Sequence, residues 1–275
     1  MTSFTLKLIA ILAMVVDHAA AVFGQQFFLI LFPELPLAVS YNILRIMRII
    51  GRLTFPIMAF FIAEGCRKTR NMQKYMARLF GFALLAQIPF TLAFSDNNAL
   101  YNNAFFSGSQ HLTFLDIRDL NVLFTLGLGA LAVFLYEKSG RKPLSYLLAA
   151  LAIAAGELLQ TDYSWYGVLL VFASYIFPTR KTQLIGMAAV LSILYLGYGN
   201  GLQYAISIFH TALPLTEKLF RAVFYGGSHW LSALAALLLL SFYNGERGRS
   251  AQYFFYIFYP AHLLVLVAIR EIIRP

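Results

Sequence analysis

A series of long, continuous apolar runs, separated by short polar segments, limits what this chain can fold into more than any other feature. Hydropathy places the runs near residues 5–23, 49–66, 76–94, 120–136, 143–159, 164–178, 183–199, 221–242 and 253–272. A spanning helix needs about 20 apolar residues, or roughly 30 with its connection, so the length suits about nine spans. The runs are continuous rather than alternating, which excludes a transmembrane barrel. The sequence predicts an all-α fold, a polytopic membrane helix bundle of about nine transmembrane helices.

Composition supports a membrane protein and leaves little room for anything else. Hydrophobic residues make up 60% of the 275 residues and charged residues 12%, against roughly 25% charged in a typical soluble protein. We therefore expect one integral-membrane domain over residues 1–275, with no folded extramembrane domain. The single Cys66 excludes an intrachain disulfide and multi-cysteine metal motifs.

Three segments stand outside this pattern. Residues 24–44 and 95–118 are predicted to be longer surface loops, the second rich in Asn, Ser and Asp. Residues 200–216 are apolar but short and end at Pro214, which favours a re-entrant or interfacial helix over a span.

Basic clusters predict the orientation. Lys and Arg gather at 67–78, 138–142 and 180–181, in alternate loops, and cytoplasmic loops carry such excess. We expect the bacterial cytoplasmic (inner) membrane, with the N-terminus cytoplasmic and the C-terminus outside. The net charge of +9 is then a topology signal and not a sign of nucleic-acid binding.

The first span carries polar residues that a bilayer tolerates poorly, namely Lys7, Asp17 and His18. Eleven residues make about three helical turns, so Lys7 and His18 share one face roughly 16 Å apart. A buried imidazole can take a proton from a nucleophile, and a neighbouring carboxylate can fix its tautomer. Asp17 points about 100° away, so pairing with another helix is the alternative for it. Polar residues of this kind can also simply hold helices together.

The second span opens with a basic stripe, Arg45, Arg48 and Arg52. Pro56 removes a backbone hydrogen bond to residue 52, which predicts a kink there that directs Arg52 into a polar space. Arginine donors in a dry site can hold a phosphate or a developing oxyanion. Arg45 is better explained by snorkelling to headgroups.

Charged and aromatic side chains elsewhere complete the candidate site. The cluster Arg67, Lys68, Arg70 and Lys74 fits topology and anionic-lipid contacts, or docking of a polyanionic cosubstrate. Glu64 is predicted to pair with Arg67 or to line the pocket. The other candidate pocket residues are Asn121, Asn244, Tyr256, Tyr259 and the second intramembrane imidazole, His262.

The remaining polar residues receive structural interpretations. His111, His210 and His229 are predicted to be structural. Asp162, Tyr163 and Tyr166 flank an outer turn, where aromatic-belt anchoring accounts for the rings. GxGxxG, P-loop, HExxH and GxSxG motifs are missing from the sequence, so chemistry here must use His, Asp, Arg and Tyr within the bilayer, and no metal is required.

Several blocks resemble the TraX family, known from conjugative plasmids and fimbrial-assembly loci. They are residues 6–18, 51–65 (GRLTFPIMAFFIAEG), 121–127 (NVLFTLG), 162–169 and 256–263 (YIFYPAHL). The resemblance implies an acetyltransferase that uses acetyl-CoA to acetylate a pilin N-terminus. More distantly, Lys7 followed by ten residues and His18 is similar to the first-helix motif of acyltransferase-3-type membrane enzymes, where Arg stands in place of Lys and the His is catalytic.

These observations together predict a membrane acyltransferase. Acetyl-CoA is the expected cosubstrate, and the acceptor is a pilin, an envelope glycan or a small molecule. His18 is expected to act as general base or to carry the acetyl group, Asp17 to orient it, and Arg52 or Tyr259 to stabilise the oxyanion. The predicted cosubstrate-binding residues are Lys7, Arg48, Arg52, Arg67, Arg70 and Lys74.

Two other functions stay open on the sequence. The first is a proton-coupled transporter with a relay of polar residues, which an inverted repeat would favour, although no such repeat is evident. The second is a non-catalytic pilus assembly factor. Uptake into proteoliposomes without an acyl donor would indicate transport, and stabilisation by CoA would argue against the assembly factor.

Overall fold

The computed structural model describes residues 1–94 and 119–273. The helices in these ranges are α1 (Ser3–Leu31), α2 (Leu37–Gly51), α3 (Thr54–Lys68), α4 (Met72–Phe94), α5 (Val122–Lys138), α6 (Lys142–Leu158), α7 (Ser164–Ile176), α8 (Arg180–Ser192), α9 (Gly201–Phe209), α10 (Leu215–Arg221), α11 (Ser228–Ser241) and α12 (Gln252–Ile273). Two π-helical segments, Ile193–Tyr198 and Ala222–Gly227, extend α8 and α10. Within the described ranges an isolated bridge between Leu120 and Thr161 is all the β-structure present, so the predicted all-α architecture is confirmed there.

Six segments in the described ranges are long and apolar enough to cross a membrane. They are Ser3–Gln25, Leu37–Lys68, Met72–Phe94, Arg180–Tyr198, Leu215–Ser241 and Tyr253–Ile273. The other three predicted spans are helices of 17, 17 and 13 residues, α5 to α7. At 1.5 Å per residue, the shortest reaches roughly 20 Å, less than the ~30 Å hydrocarbon core. The chain is therefore a multi-pass helical membrane protein, and the predicted count of nine spans is not confirmed.

The predicted loop over residues 24–44 is wrong. Helix α1 continues to Leu31, with a non-helical Gly24 (φ 56°) inside it, and α2 begins at Leu37. Only a short turn remains between them. The predicted loop 95–118 lies outside the described residues.

The segment 200–216 holds the nine-residue helix α9, followed by a turn. Nine helical residues reach roughly 14 Å, about half of the hydrocarbon core. The short length that favoured a non-spanning helix is therefore found in the structure.

The basic stripe belongs to α2 and not to the start of the helix containing Pro56. The chain turns at Arg52 and Leu53, and α3 starts at Thr54, so the predicted kink is a break between two helices. Pro56 lies in the first turn of α3, where its missing N–H removes no required hydrogen bond.

The predicted cytoplasmic loops meet at one end of the bundle. Backbone N–H groups of Ser3 and Phe4 donate to the carbonyls of Glu246 and Arg247, and Arg180 donates to the carbonyl of Leu240. Arg67 likewise reaches the carbonyls of residues 174 and 175 at the end of α7. The shared end agrees with the predicted alternation of basic loops, while its assignment to the cytoplasm stays a prediction.

Small residues bring the central helices close together. Ala59 and Ala63 of α3 and Ala83 and Ala86 of α4 are fully buried. Without a hydrophobic driving force between helices in lipid, close packing at small residues is what holds such bundles together. Large side chains such as Phe60 then fill the remaining interior, and this packing fixes α1, α3 and α12 around the polar residues described next.

Candidate functional site

Two histidines from opposite ends of the chain meet inside the bundle. His18 Nδ1 on α1 lies 2.7 Å from His262 Nε2 on α12. The other nitrogen of His262, Nδ1, lies 2.9 Å from the carbonyl oxygen of Phe258, one turn earlier in α12. His262 is 7% exposed. The two candidate imidazoles therefore form one hydrogen-bonded unit.

Asp17 is held by two arginines rather than by His18. Its Oδ2 accepts a hydrogen bond from Arg48 Nη1 at 2.8 Å, and its Oδ1 accepts one from Arg52 Nη2 at 3.0 Å. The Asp17 side chain is only 11% exposed. The predicted alternative, in which Asp17 pairs with another helix, is therefore the one found. The imidazole of His18 takes its orienting contact from His262 instead of Asp17.

Gly51 makes room for this ion-pair cluster. It lies on α2 between the two arginines in sequence, and a Cβ built there would overlap the Asp17 carboxyl group. A side chain at this position would separate α2 from α1 at the point where the carboxylate inserts.

We expect Gly51→Ala to lower the free energy of unfolding by about 1–3 kcal/mol, the usual effect of overpacking. The measurement is thermal or denaturant unfolding of the detergent-solubilised protein. Gly81→Ala is the matched control, because a Cβ at Gly81 in α4 meets nothing within 4 Å. Equal stability of the two variants would contradict the close approach of Gly51 to Asp17.

A cavity of about 860 Å³ runs through this region. Asp17, His18, Arg48 and Arg52 are among the residues that line it. Cationic side chains line it at the end where the basic loops gather, namely Lys7, Lys68, Arg78, Arg247 and Arg249. Arg247 and Arg249 are exposed, so the cavity reaches the surface there. We call this end the basic mouth.

A polar and aromatic chamber lies on another side of the cavity. Its lining includes Asp162, Tyr163, Tyr166, Tyr195 and His229. Burial raises the pKa of the Asp162 carboxyl to about 6, against the opposing influence of Arg52 and Arg48. A buried carboxyl with a raised pKa among charged partners is typical of functional sites.

Sequence reasoning missed most of the mouth and the chamber. The topology rule is enough to explain charges such as those of Arg247 and Arg249 in a loop, and an aromatic belt is enough to explain the tyrosines near 163. His229, predicted to be structural, also lines the cavity. Asp162 lies in the turn before α7, which starts at Ser164, so helical spacing does not relate it to Tyr166. The tertiary fold places both residues in the lining of the cavity that His18 also lines.

The remaining predicted site residues divide into two groups. Glu64, Tyr256 and Tyr259 line the cavity, and the Glu64 carboxylate pairs with Arg67 and Lys68. Arg67, Arg70, Lys74, Asn121 and Asn244 are not among the residues lining the described cavity.

Both Arg67 and Asn121 have structural partners. Arg67 binds Glu64 and carbonyl oxygens at the end of α7. Asn121 caps α5 and binds Gln87 and the carbonyl of Ala83. Arg70 and Lys74 are exposed, so Lys68 is the member of the predicted cosubstrate patch that belongs to the basic mouth, and Arg67, Arg70 and Lys74 do not line the cavity.

Fold and site together define a class: a multi-pass helical membrane protein with a histidine pair inside the bundle and an interior cavity lined in part by charged side chains. Within that class the chain belongs to the TraX family, whose match, described as TraX protein, covers residues 3–270. A relative from Dichelobacter nodosus, called probable fimbrial assembly protein FimC, serogroup H1, is 33% identical over 282 residues. That similarity covers 99% of this chain and 97% of the relative. No solved structure matches the chain.

Proposed function

We propose that the protein is a membrane-embedded acyltransferase that moves an acetyl group from acetyl-CoA to an acceptor amine or hydroxyl. The observation that carries the proposal is the cavity, which joins a cation-lined mouth to His18. Its volume lies in the range of small-molecule sites, roughly 300–1,000 Å³. A base inside the cavity and cations at its mouth suit a long donor with phosphates at one end and an acyl group at the other.

The basic mouth is the proposed site for the donor phosphates. Lys7 lies over the rings of Phe61 and Phe255, at 5.0 and 5.7 Å, and Arg247 is held beside it by the backbone bond from Phe4. The acidic residue in the mouth lining, Glu64, is already shared between Arg67 and Lys68. The excess positive charge favours a polyanion. We therefore prefer these residues over Arg67, Arg70 and Lys74 for the phosphates.

In the proposed reaction the acceptor nitrogen or oxygen attacks the thioester carbonyl. His18 takes the acceptor proton as the new bond to the acetyl carbon forms. The carbon–sulfur bond then breaks, and His18 returns the proton to the departing sulfur, giving acetylated acceptor and free CoA. Arg52, positioned by Asp17, and Tyr259 are the candidates to stabilise the oxyanion in between.

The family and the relative guide the choice of acceptor. TraX membership and a relative named as a fimbrial assembly protein support a pilus-related role. We propose a pilin subunit as the acceptor. We also propose that the protein lies in the inner membrane with its basic mouth facing the cytoplasm. The test is incubation of the purified protein in nanodiscs with labelled acetyl-CoA and pilin. An acetylated pilin N-terminus is expected. Label on a glycan or small molecule instead would change the acceptor, and a failure to label any acceptor or to bind CoA would overturn the acyltransferase.

The double variant Arg247→Gln/Arg249→Gln tests the mouth. We expect the KM for acetyl-CoA to rise about tenfold with little change in kcat, because losing charge-assisted hydrogen bonds to phosphate costs about 1–2 kcal/mol. The effect should shrink at high salt. Arg141→Gln/Lys142→Gln is the matched control, since both residues are exposed near the same end without lining the cavity. Equal KM values for the two double variants would place the phosphates elsewhere.

A further inference from the structure

The geometry of the histidine pair defines which nitrogen carries which proton. The ring centres of His18 and His262 are 5.0 Å apart and their planes differ by 13°. With Nδ1 and Nε2 only 2.7 Å apart, the rings meet edge to edge in nearly one plane. A ring nitrogen's lone pair and its N–H bond both lie in the ring plane, so this arrangement aligns a hydrogen bond between them.

The carbonyl of Phe258 sets the direction of that hydrogen bond. A carbonyl oxygen only accepts, so His262 Nδ1 carries a proton, and in the neutral ring His262 Nε2 is then the acceptor. The proton between the rings must therefore belong to His18 Nδ1. It follows that Nε2 of His18 is unprotonated, with a lone pair free to take a proton.

The surroundings hold both rings in place. His262 stacks on Phe258, with ring centres 5.2 Å apart and planes 9° apart, and it is absent from the residues lining the cavity. His18 lines the cavity and has Phe94 packed edge-on at 5.5 Å. The buried ring thus supports the ring that faces the cavity.

We propose that His262 is the positioning residue of His18. His262 Nε2 accepts a hydrogen bond from the Nδ1–H group of His18. This keeps Nε2 of His18 as the proton-accepting atom and stabilises the positive charge of His18 once that atom has taken a proton. This rests on the proposed function, in which the acceptor proton goes to His18 Nε2 and then to the sulfur of CoA. Throughout, the Nδ1 proton stays in the hydrogen bond to His262, and the overall proton balance of acetyl transfer is unchanged. A neutral imidazole does here what a carboxylate does in Ser-His-Asp triads, which leaves the Asp17 carboxylate to its arginines.

The test combines nitrogen NMR with acetyl transfer. The chain has five histidines, so uniform [15N]histidine labelling in nanodiscs gives few ring-nitrogen signals. The two signals that disappear in His18→Gln are those of Nδ1 and Nε2 of His18. In the wild-type protein without acetyl-CoA we expect His18 with Nδ1 protonated and Nε2 bare. A wild-type His18 protonated on Nε2 instead would overturn the inference.

Two variants separate positioning from packing. His262→Phe keeps a ring but offers no acceptor, and we expect loss of the Nδ1–H tautomer and at least a 100-fold lower kcat with an unchanged KM for acetyl-CoA. His262→Gln offers an amide oxygen near the position of Nε2 and should keep the Nδ1–H tautomer and activity within about tenfold. His210→Gln, at an exposed residue after α9, should change neither the tautomer nor the activity.

Full transfer by His262→Phe would overturn the positioning role and leave the proposed function standing. A wild-type protein without transfer would overturn the proposed function and the catalytic part of this inference.

Discussion

His18→Gln is expected to lower kcat for acetyl transfer by at least about 100-fold, because general-base catalysis contributes roughly 10²–10⁴-fold. The substituted amide cannot take a proton from the acceptor at neutral pH, while its size and polarity keep the cavity wall nearly intact. The measurement is single-turnover transfer of labelled acetyl from acetyl-CoA to the acceptor, in nanodiscs.

Two controls distinguish this loss from misfolding or lost binding. The thermal midpoint of His18→Gln should stay close to that of the wild type, and CoA should bind with similar affinity, since the basic mouth lies roughly 16 Å away along α1. His18→Ala should lose transfer to the same extent. Undiminished transfer by both variants would remove His18 from the mechanism.

The second large effect is on stability. Asp17→Asn leaves Arg48 and Arg52 without their shared carboxylate in a site where the Arg52 side chain is only 15% exposed. Removing one partner of a buried ion pair typically costs about 3–5 kcal/mol, because an uncompensated charge stays behind. We expect a loss of that size in the free energy of unfolding.

Charge balance provides the internal check on this prediction. The double variant Asp17→Asn/Arg48→Gln removes one cation along with the anion, so the cluster regains its original net charge, and stability should recover in part. If the single and double variants unfold at the same denaturant concentration, the loss comes from packing and not from unpaired charge. A single variant as stable as the wild type would contradict the buried triad itself.

Apolar length predicted most of the helices because that signal is local. The predicted runs 76–94 and 120–136 correspond to α4 (Met72–Phe94) and α5 (Val122–Lys138) within a few residues. The error at 24–44 has a physical source. Glycine, glutamine and proline lower the hydropathy there, yet a helix passes through Gly24 with one unusual backbone conformation and continues to Leu31.

The contacts within the site could not be predicted from the sequence because they join residues far apart in the chain. His18 and His262 were both identified as candidates, but their pairing joins residues 244 apart in the chain, which helical periodicity cannot reveal. Helical geometry predicts that Asp17 faces away from His18. The two arginines that bind it, Arg48 and Arg52, lie at the end of α2 and just after it, and hydropathy assigns the first half of that helix to the loop 24–44. Arg247 became part of the mouth through backbone pairing with the N-terminal residues.

The backbone pairing of the N-terminal residues with the segment carrying Arg247 makes α1 set a fixed distance within the cavity. The backbone of residues 3 and 4 binds the segment carrying Arg247. The same helix, α1, also carries Lys7 and, roughly 16 Å further along its axis, His18. For the proposed donor, the spacing between anchor and base is therefore set by one continuous helix rather than by the meeting of separate parts. Under the proposed function, this fixed distance would select donors that carry the acyl group on a long arm, independent of the identity of the acyl group.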